Sequence, residues 1–444
     1  MTTPYTRQLL EFLHPLQARD LPEEVLDRAR YFLLDYLACT IRGSREPSSA
    51  AIQRMIERVS AAGCSTVIGT RIRTIPTLAA MANGAASHAI EMDDTHSGGS
   101  IHLGTTMYSA ALALAENLPD TSSETFFAAV VAGFEAAARI AMAAQPREHY
   151  ALGFHMTGTC GVFGAAITSA KVLGLNFDQT LAAVGIAGSM ASGSMEFLAD
   201  GSWTKRIHPG LAAQNGIQAA LLAAEGYTGP LAILEGRDGF LHGHSRHPIA
   251  ELLTENLGHS FEILRTAVKP HACCRYMQGP IDAILGLMRE NNIASSDIQR
   301  IEVAVLEAGW GIVAEPRDKK YRPATVVDTQ FSMPFGAAVA ALEGVAGLDQ
   351  FTADKAREPK IRELMHKVAL VKDPTIEETF PREWPARVTI ELSQGPSYEK
   401  FVRYPKGDPE NSLSWDELAA KFRALTGREP VDLSNPAAIP ALCS

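Results

Sequence analysis

Residues 387–404, RVTIELSQGPSYEKFVRY, alternate apolar and polar side chains on both sides of Gln394, Gly395 and Pro396, and this reads as two strands joined by a hairpin turn. A second alternating run, RIEVAVLE at 300–307, predicts another strand. Helical spacing between them predicts helices at 275–291, 329–343 and 354–367, so residues 268–409 form an α+β segment. Working outward, everything else is helical. From residue 5 to 265 the chain is a succession of Ala- and Leu-rich stretches, with Val25, Ala29, Phe32, Leu33, Tyr36 and Leu37 on one stripe. Turn signals break it at Gly43, at 61–70, at Pro119 with Asp120, at Pro146, at 174–178 and at 226–230. Downstream of the insert, Ser414 followed by Glu417 marks a capping box for a helix over 414–425 whose composition returns it to the helical part. The fold class is mainly α: a large all-helical domain built from both chain ends, 1–267 and 410–444, plus a smaller α+β domain, 268–409.

Composition narrows the function. The chain has 444 residues, 46% hydrophobic and 20% charged, enough for a substantial core. Its 40 basic residues are outnumbered by 50 acidic ones, for a net charge of −10 and no basic stripe, which argues against nucleic acid as a partner. The first thirty residues carry charge in every turn, unlike a signal peptide, and no uncharged apolar run reaches the ~20 residues of a membrane span. Six cysteines, unpatterned apart from the vicinal Cys273 and Cys274, suit a reducing cytoplasm.

Four polar blocks interrupt the helices. HAIEMDDTHSGGSIH at 88–102 reads as a helix ending in Glu91, Asp93, Asp94, Thr95 and His96, with His102 after a glycine loop. Acidic groups are poorly placed at the negative end of a helix, so something must offset that cost. GFHMTGTCG at 153–161 puts His155 at the mouth of a small-residue helix, where the dipole favours a neutral imidazole able to accept a proton. GSWTKRIHPGLAAQNG at 201–216 gathers Lys205, Arg206 and His208 in a loop ahead of a helix starting near Pro209, an arrangement suited to an anion. KPHACCRYMQ at 269–278 offers Lys269, Arg275 and Tyr276 to a polycarboxylate. A solvated helix end, a core histidine or a plain surface loop would account for each block taken singly. No phosphate loop, dinucleotide fingerprint, nucleophile elbow or HExxH occurs, so no cofactor and no metal requirement is expected. The inventory fits proton transfer next to a carboxylate.

RARYFLLDYLACTIRG at 28–43, HAIEMDDTH at 88–96, GFHMTGTCGVFGAA at 153–166, TKRIHPGLAAQNGI at 204–217, KPHACCR at 269–275 and QFSMPFGAAVAALEG at 330–344 together resemble the MmgE/PrpD family over nearly the whole chain. That family includes 2-methylcitrate dehydratase, cis-aconitate decarboxylase and iminodisuccinate epimerase. The resemblance implies an all-helical domain with an α+β lid, a homodimer and cofactor-free chemistry. It also implies an active-site pair at Asp94 and Thr95, histidines at His102 (after one gap) and His155, and lysines at Lys205 and Lys269. Where aconitate decarboxylases have an aspartate, a histidine and a tyrosine, this chain has Glu91, Cys274 and Phe335. The leading expectation is a hydro-lyase that removes a proton α to a carboxylate of a di- or tricarboxylic acid. Its catalytic groups would be His102, His155, Lys205, Lys269 and Asp94, and its substrate-binding groups Glu91, Asp93, Thr95, Arg206, His208, Cys274, Arg275 and Tyr276. The alternatives are epimerisation, decarboxylation, or a non-catalytic carboxylate-binding protein.

Overall fold

The computed structural model describes residues 4–118 and 120–443, so the turn expected at Pro119 lies outside the described residues, as do residues 1–3 of the N-terminal stretch. The chain divides into two compact units. The first comprises 1–196, 203–266 and 414–444; the second comprises 197–202 and 267–413. Residues 197–202, read from sequence as part of the helical portion, belong to the second.

The first unit is built on long helices whose apolar faces leave little surface uncovered. Glu23–Gly43, Pro76–Ser87, Gly104–Ala115, Ser123–Ala143, Met156–Val172 and Thr204–Ala224 pack on one another, and Trp415–Thr426 packs on Glu23–Gly43. Ser414 caps the last of these through the expected capping box with Glu417. Ser65–Thr66 pairs antiparallel with Arg73–Thr74, so the unit is not wholly helical. The Ser123–Ala143 helix is long and apolar enough by length and composition to cross a membrane, a feature that counting charges alone passed over. Its most apolar window is 94% buried, and it carries a buried ion pair from Arg139 to Glu135 at 2.6 Å, as a core helix of this unit.

Glycine sets how closely these helices approach. Gly84, on Pro76–Ser87, faces Gly210, on Thr204–Ala224, and a Cβ on Gly84 would stand 2.7 Å from the Gly210 Cα. In the other direction, a Cβ on Gly210 would run into the Met81 carbonyl. Gly inside a helix costs up to about 1 kcal/mol against Ala. Backbone-to-backbone packing at this crossing, which a methyl group would block, offsets that cost.

The second unit holds a four-stranded sheet ordered Val368–Val371, Ile298–Ala304, Ala386–Leu392, Ser397–Val402. The first pair is parallel and the other two antiparallel. Ala386, Val388 and Ile390 point inward, and helix Gln278–Glu290 packs on the two C-terminal strands. The predicted hairpin therefore forms, with Ile390 opposite Tyr398.

Gly84→Ala is expected to lower the melting temperature, at a cost of about 1–3 kcal/mol from overpacking. Gly243→Ala, whose Cβ would meet nothing within 4 Å, should leave it unchanged or slightly higher. Indistinguishable thermal melts for the two variants would remove the close crossing as a determinant of the fold.

Candidate active site

Four helix ends meet in the first unit, and the polar blocks of the sequence sit on them. Pro76–Ser87 ends earlier than expected: His88 is its C-cap, and Glu91, Asp93 and Asp94 lie in the turn beyond. Asp94 does not face its own helix's negative end. Its carboxylate accepts from the amides of Leu103 and Gly104 at 3.0 Å, at the start of Gly104–Ala115, and this is the compensation the acidic run required. Burial and the neighbouring Asp93 nevertheless push the Asp94 carboxyl up to about 7, against those amides. Its role as read from sequence was catalytic; its geometry is that of a helix cap.

Asp93 is the carboxylate that touches imidazoles. Its Oδ2 lies 2.6 Å from His88 Nδ1 and 3.1 Å from His102 Nδ1. His102 Nδ1 also lies 2.6 Å from the Asp94 carbonyl and 3.3 Å from Thr95 Oγ1. His155 is the N-cap residue of Met156–Val172, as the sequence indicated, and its Nδ1 stands 3.0 Å from His208 Nδ1. One ring nitrogen from each of His88, His102 and His155 lies within 4.8 Å of the others, so these three are the residues placed to hold a metal ion. Burial drives His88 down to about 3 despite the pull of Asp93, and pushes His155 well below its usual value with His208 and Lys205 adding to the effect. His208 falls to about 4, through burial and then Lys205. His155 was expected to be neutral because of the helix dipole. It is neutral, and burial is the leading cause.

The third block corrects a boundary. Lys205, Arg206 and His208 do not precede a helix; they form the first turns of Thr204–Ala224, with Pro209 inside it. A proline there forfeits the bond to the Lys205 carbonyl, yet tertiary packing keeps the helix running. Nor is this a bare anion site. Lys205 is paired with Glu91, both buried, and Arg206 donates to Ser48 Oγ at 3.1 Å with Glu46 at 3.6 Å. Any anion drawn to the ammonium group has to compete with Glu91. Glu91 adopts φ +56°, a left-handed conformation uncommon outside glycine, and its buried partner holds it there. From below, Lys421 of Trp415–Thr426 donates to Asp35 at 2.6 Å and to the Met92 carbonyl at 2.7 Å, fixing the same turn.

The remaining residues singled out from sequence lie in the second unit. Lys269 and Cys273 are fully buried, and Cys274 is nearly so. Arg275 pairs with Asp408 and lies 5.2 Å over the Trp384 ring, on which Tyr276 also stacks at 4.5 Å. Burial lifts Asp408 to about 6 against that guanidinium. Arg275 and Tyr276 are thus engaged within their own unit, and Phe335 is fully buried.

Sequence reasoning missed His88. It paired His96 with His102 in the first block, but His96 bonds to Glu262 at 2.9 Å and to the Gly99 amide, a structural arrangement. The usable signal was a histidine five residues ahead of an aspartate across a helix end.

Two sequence profiles match the chain: the MmgE/PrpD N-terminal domain over residues 7–252 and the MmgE/PrpD C-terminal domain over 271–431. The chain is 31% identical to the cis-aconitate decarboxylase-like protein oryM of Aspergillus oryzae, over 95% of this chain and 90% of that protein. It is 30% identical to a cis-aconitate decarboxylase of Aspergillus terreus, covering 95% and 89%. To the human cis-aconitate decarboxylase it is 26% identical, covering 96% and 88%.

Two outcomes are expected. Lys205→Met alone strands a buried Glu91 carboxylate and should cost about 3–5 kcal/mol in urea unfolding, most of it recovered when Glu91→Gln is added. Strictly additive costs would show that the two side chains are not coupled. The imidazole signals of His88, His155 and His208 should not titrate from about pH 8 to about pH 5 by NMR, whereas unfolded imidazoles charge near 6.5. Since only the unfolded chain takes up those protons, their contribution to stability is lost as pH falls below about 6.5 towards the folded values of about 4 for His208 and about 3 for His88. Asp94, raised to about 7, acts in the opposite sense, which is why the individual signals decide the matter.

Proposed function

The chain belongs to the MmgE/PrpD family, and we propose that it is a lyase acting on a di- or tricarboxylic acid by proton transfer at a carbon next to a carboxylate. The observation that carries this reading is the convergence of three buried imidazoles, His88, His102 and His155, beside the Lys205 ammonium. A neutral, desolvated imidazole can take a proton from carbon, the imidazolium so formed can return one, and a fixed cation lowers the energy of the enolate-like charge that develops. His155 is the proposed proton carrier and Lys205 the group that holds a substrate carboxylate. Asp93 orients His88 and His102, and Asp94 fixes the loop that carries His102.

Decarboxylation is the first reading of the reaction, because the relatives that match over the length of the chain are cis-aconitate decarboxylases. In that case carbon dioxide leaves, the electron pair of the broken carbon–carbon bond shifts into the adjacent unsaturated system, and an imidazole that has taken up a proton from solvent delivers it to the carbon at the far end and returns to neutral. Dehydration is the second. By the family resemblance, Glu91, Cys274 and Phe335 stand where aconitate decarboxylases have an aspartate, a histidine and a tyrosine, which favours a substrate other than cis-aconitate. In dehydration the base removes the proton α to the carboxylate, the hydroxyl leaves as water, and an alkene forms. The protein is further proposed to act as a homodimer in the cytoplasm without a required metal. Light scattering that gave a monomer at every concentration would refute the dimer.

Incubation with cis-aconitate and with 2-methylcitrate in deuterated water, followed by carbon and proton NMR, tests the reaction. Released carbon dioxide with a deuterated product identifies the decarboxylase; a new alkene without it identifies the dehydratase. Exchange without net conversion points to epimerase-like chemistry. If bound acids neither exchange nor react, the chain is a carboxylate-binding protein and the lyase reading is wrong.

On a substrate so identified, His155→Ala is expected to lower kcat by roughly 10²- to 10⁴-fold at nearly constant KM. Lys205→Ala should raise KM and lower kcat together. Near wild-type turnover in His155→Ala, with loss in His102→Ala, would transfer the proton-carrying role to the loop histidine.

A further inference from the structure

The three imidazoles share a feature that proton transfer alone does not require: each is held from behind through Nδ1. His88 Nδ1 is 2.6 Å from Asp93 Oδ2. His102 Nδ1 is 2.6 Å from the Asp94 carbonyl, which only accepts, so that nitrogen carries a proton. His155 Nδ1 faces His208. Backing of a histidine by a carboxylate, a carbonyl or another polar group is the arrangement that orients metal-bound imidazoles and raises their basicity.

A second observation is independent of that pattern. His88 is fully buried, and its Nε2 has no hydrogen-bond partner among the described residues. Leaving a buried polar atom unsatisfied costs about 1–3 kcal/mol, so such an atom on one ring of an imidazole cluster calls for an occupant. One nitrogen from each ring lies within 4.8 Å of the others. An ion with metal–nitrogen bonds of about 2.0–2.1 Å needs them roughly 3.4 Å apart, a closure of up to about 1.4 Å for side-chain rotations to supply. Three imidazole nitrogen donors suit zinc-type divalent ions and offer nothing to calcium or magnesium, which take oxygen ligands. The Lys205 charge, which acts on both His88 and His155, is already paired with Glu91, and Asp93 stands behind two of the rings to offset the ion.

We propose that His88, His102 and His155 form a binding site for a zinc-type divalent cation, and that filling it reversibly inhibits the enzyme by occupying the nitrogen lone pairs that carry protons. The inhibitory half rests on the lyase reading above; the binding half does not.

The test uses the full-length protein, stripped with EDTA and titrated with Co²⁺. One equivalent is expected to give the visible bands of cobalt in a low-coordinate nitrogen site, without thiolate charge-transfer absorption, and Zn²⁺ should bleach them. In histidine-selective NMR, the resonances of His88, His102 and His155 should shift or broaden on the same titration. His88→Gln and His155→Gln should each abolish the cobalt bands while keeping the wild-type circular dichroism; the NMR experiment decides the question if either fails to fold. No saturable spectrum in the wild type, or bands that survive in a folded His88→Gln, would overturn the site. Zn²⁺ at saturation should lower turnover about 10²-fold or more, reversed by EDTA, as expected for a blocked proton carrier. Unchanged turnover with the cobalt site full would overturn the inhibition. Absence of any lyase activity would instead defeat the functional reading, and the cobalt spectra would still decide the site.

Discussion

Where Pro76–Ser87 crosses Thr204–Ala224 there is no room for a side chain, and the polar centre of the first unit depends on that restriction. With Gly84 against Gly210, the end of one helix lies beside the start of the other, so His88 and Glu91 come from one and Lys205 and His208 from the other. Met156–Val172 packs on the same long helix and delivers His155 to His208. A wider crossing would separate groups whose partners are each other. The small residues and the titratable ones are therefore two aspects of one arrangement: backbone proximity puts polar groups together in a place that water does not reach.

Burial on this scale has to be balanced group by group. Asp94 is met by two amides, Asp93 by two imidazoles, Glu91 by Lys205 and Asp35 by Lys421. Burial alone would press the Asp35 carboxyl towards its neutral form, and the Lys421 ammonium opposes it. The result is a set of imidazoles kept uncharged in a cluster that also contains carboxylates, a condition that proton transfer at carbon can use and that a solvated loop could not maintain.

The parts of this arrangement legible in the sequence were those with a repeating or local cause. Helical stripes such as Val25 to Leu37, the hairpin at 387–404 and the cap at Ser414 depend on neighbours along the chain, and each is found. His155 was legible because a histidine ahead of a glycine-rich helix has few other positions to take. The failures are non-local. Pro209 suggested a helix start, but packing against Pro76–Ser87 carries the helix back to Thr204 and makes Lys205 and Arg206 helical. His96 looked equivalent to His102 until Glu262, far along the chain, claimed it. His88 looked like an ordinary helix residue, because its importance comes from Asp93 across a turn whose shape no periodicity describes.

Lys421 carries a consequence for how the protein is made. The turn holding Glu91, Asp93 and Asp94 is tied from below by a lysine more than three hundred residues later in the chain, through bonds to Asp35 and the Met92 carbonyl. During synthesis the histidines emerge early and their helices can pack, but until the Trp415–Thr426 helix leaves the ribosome Asp35 is a buried carboxylate without its cation. The first unit is completed by a late-made helix. A chain stopped short of it contains every histidine and Lys205, yet lacks the support for the turn between them, so Trp415–Thr426 has to be made before the polar centre can settle into its working form.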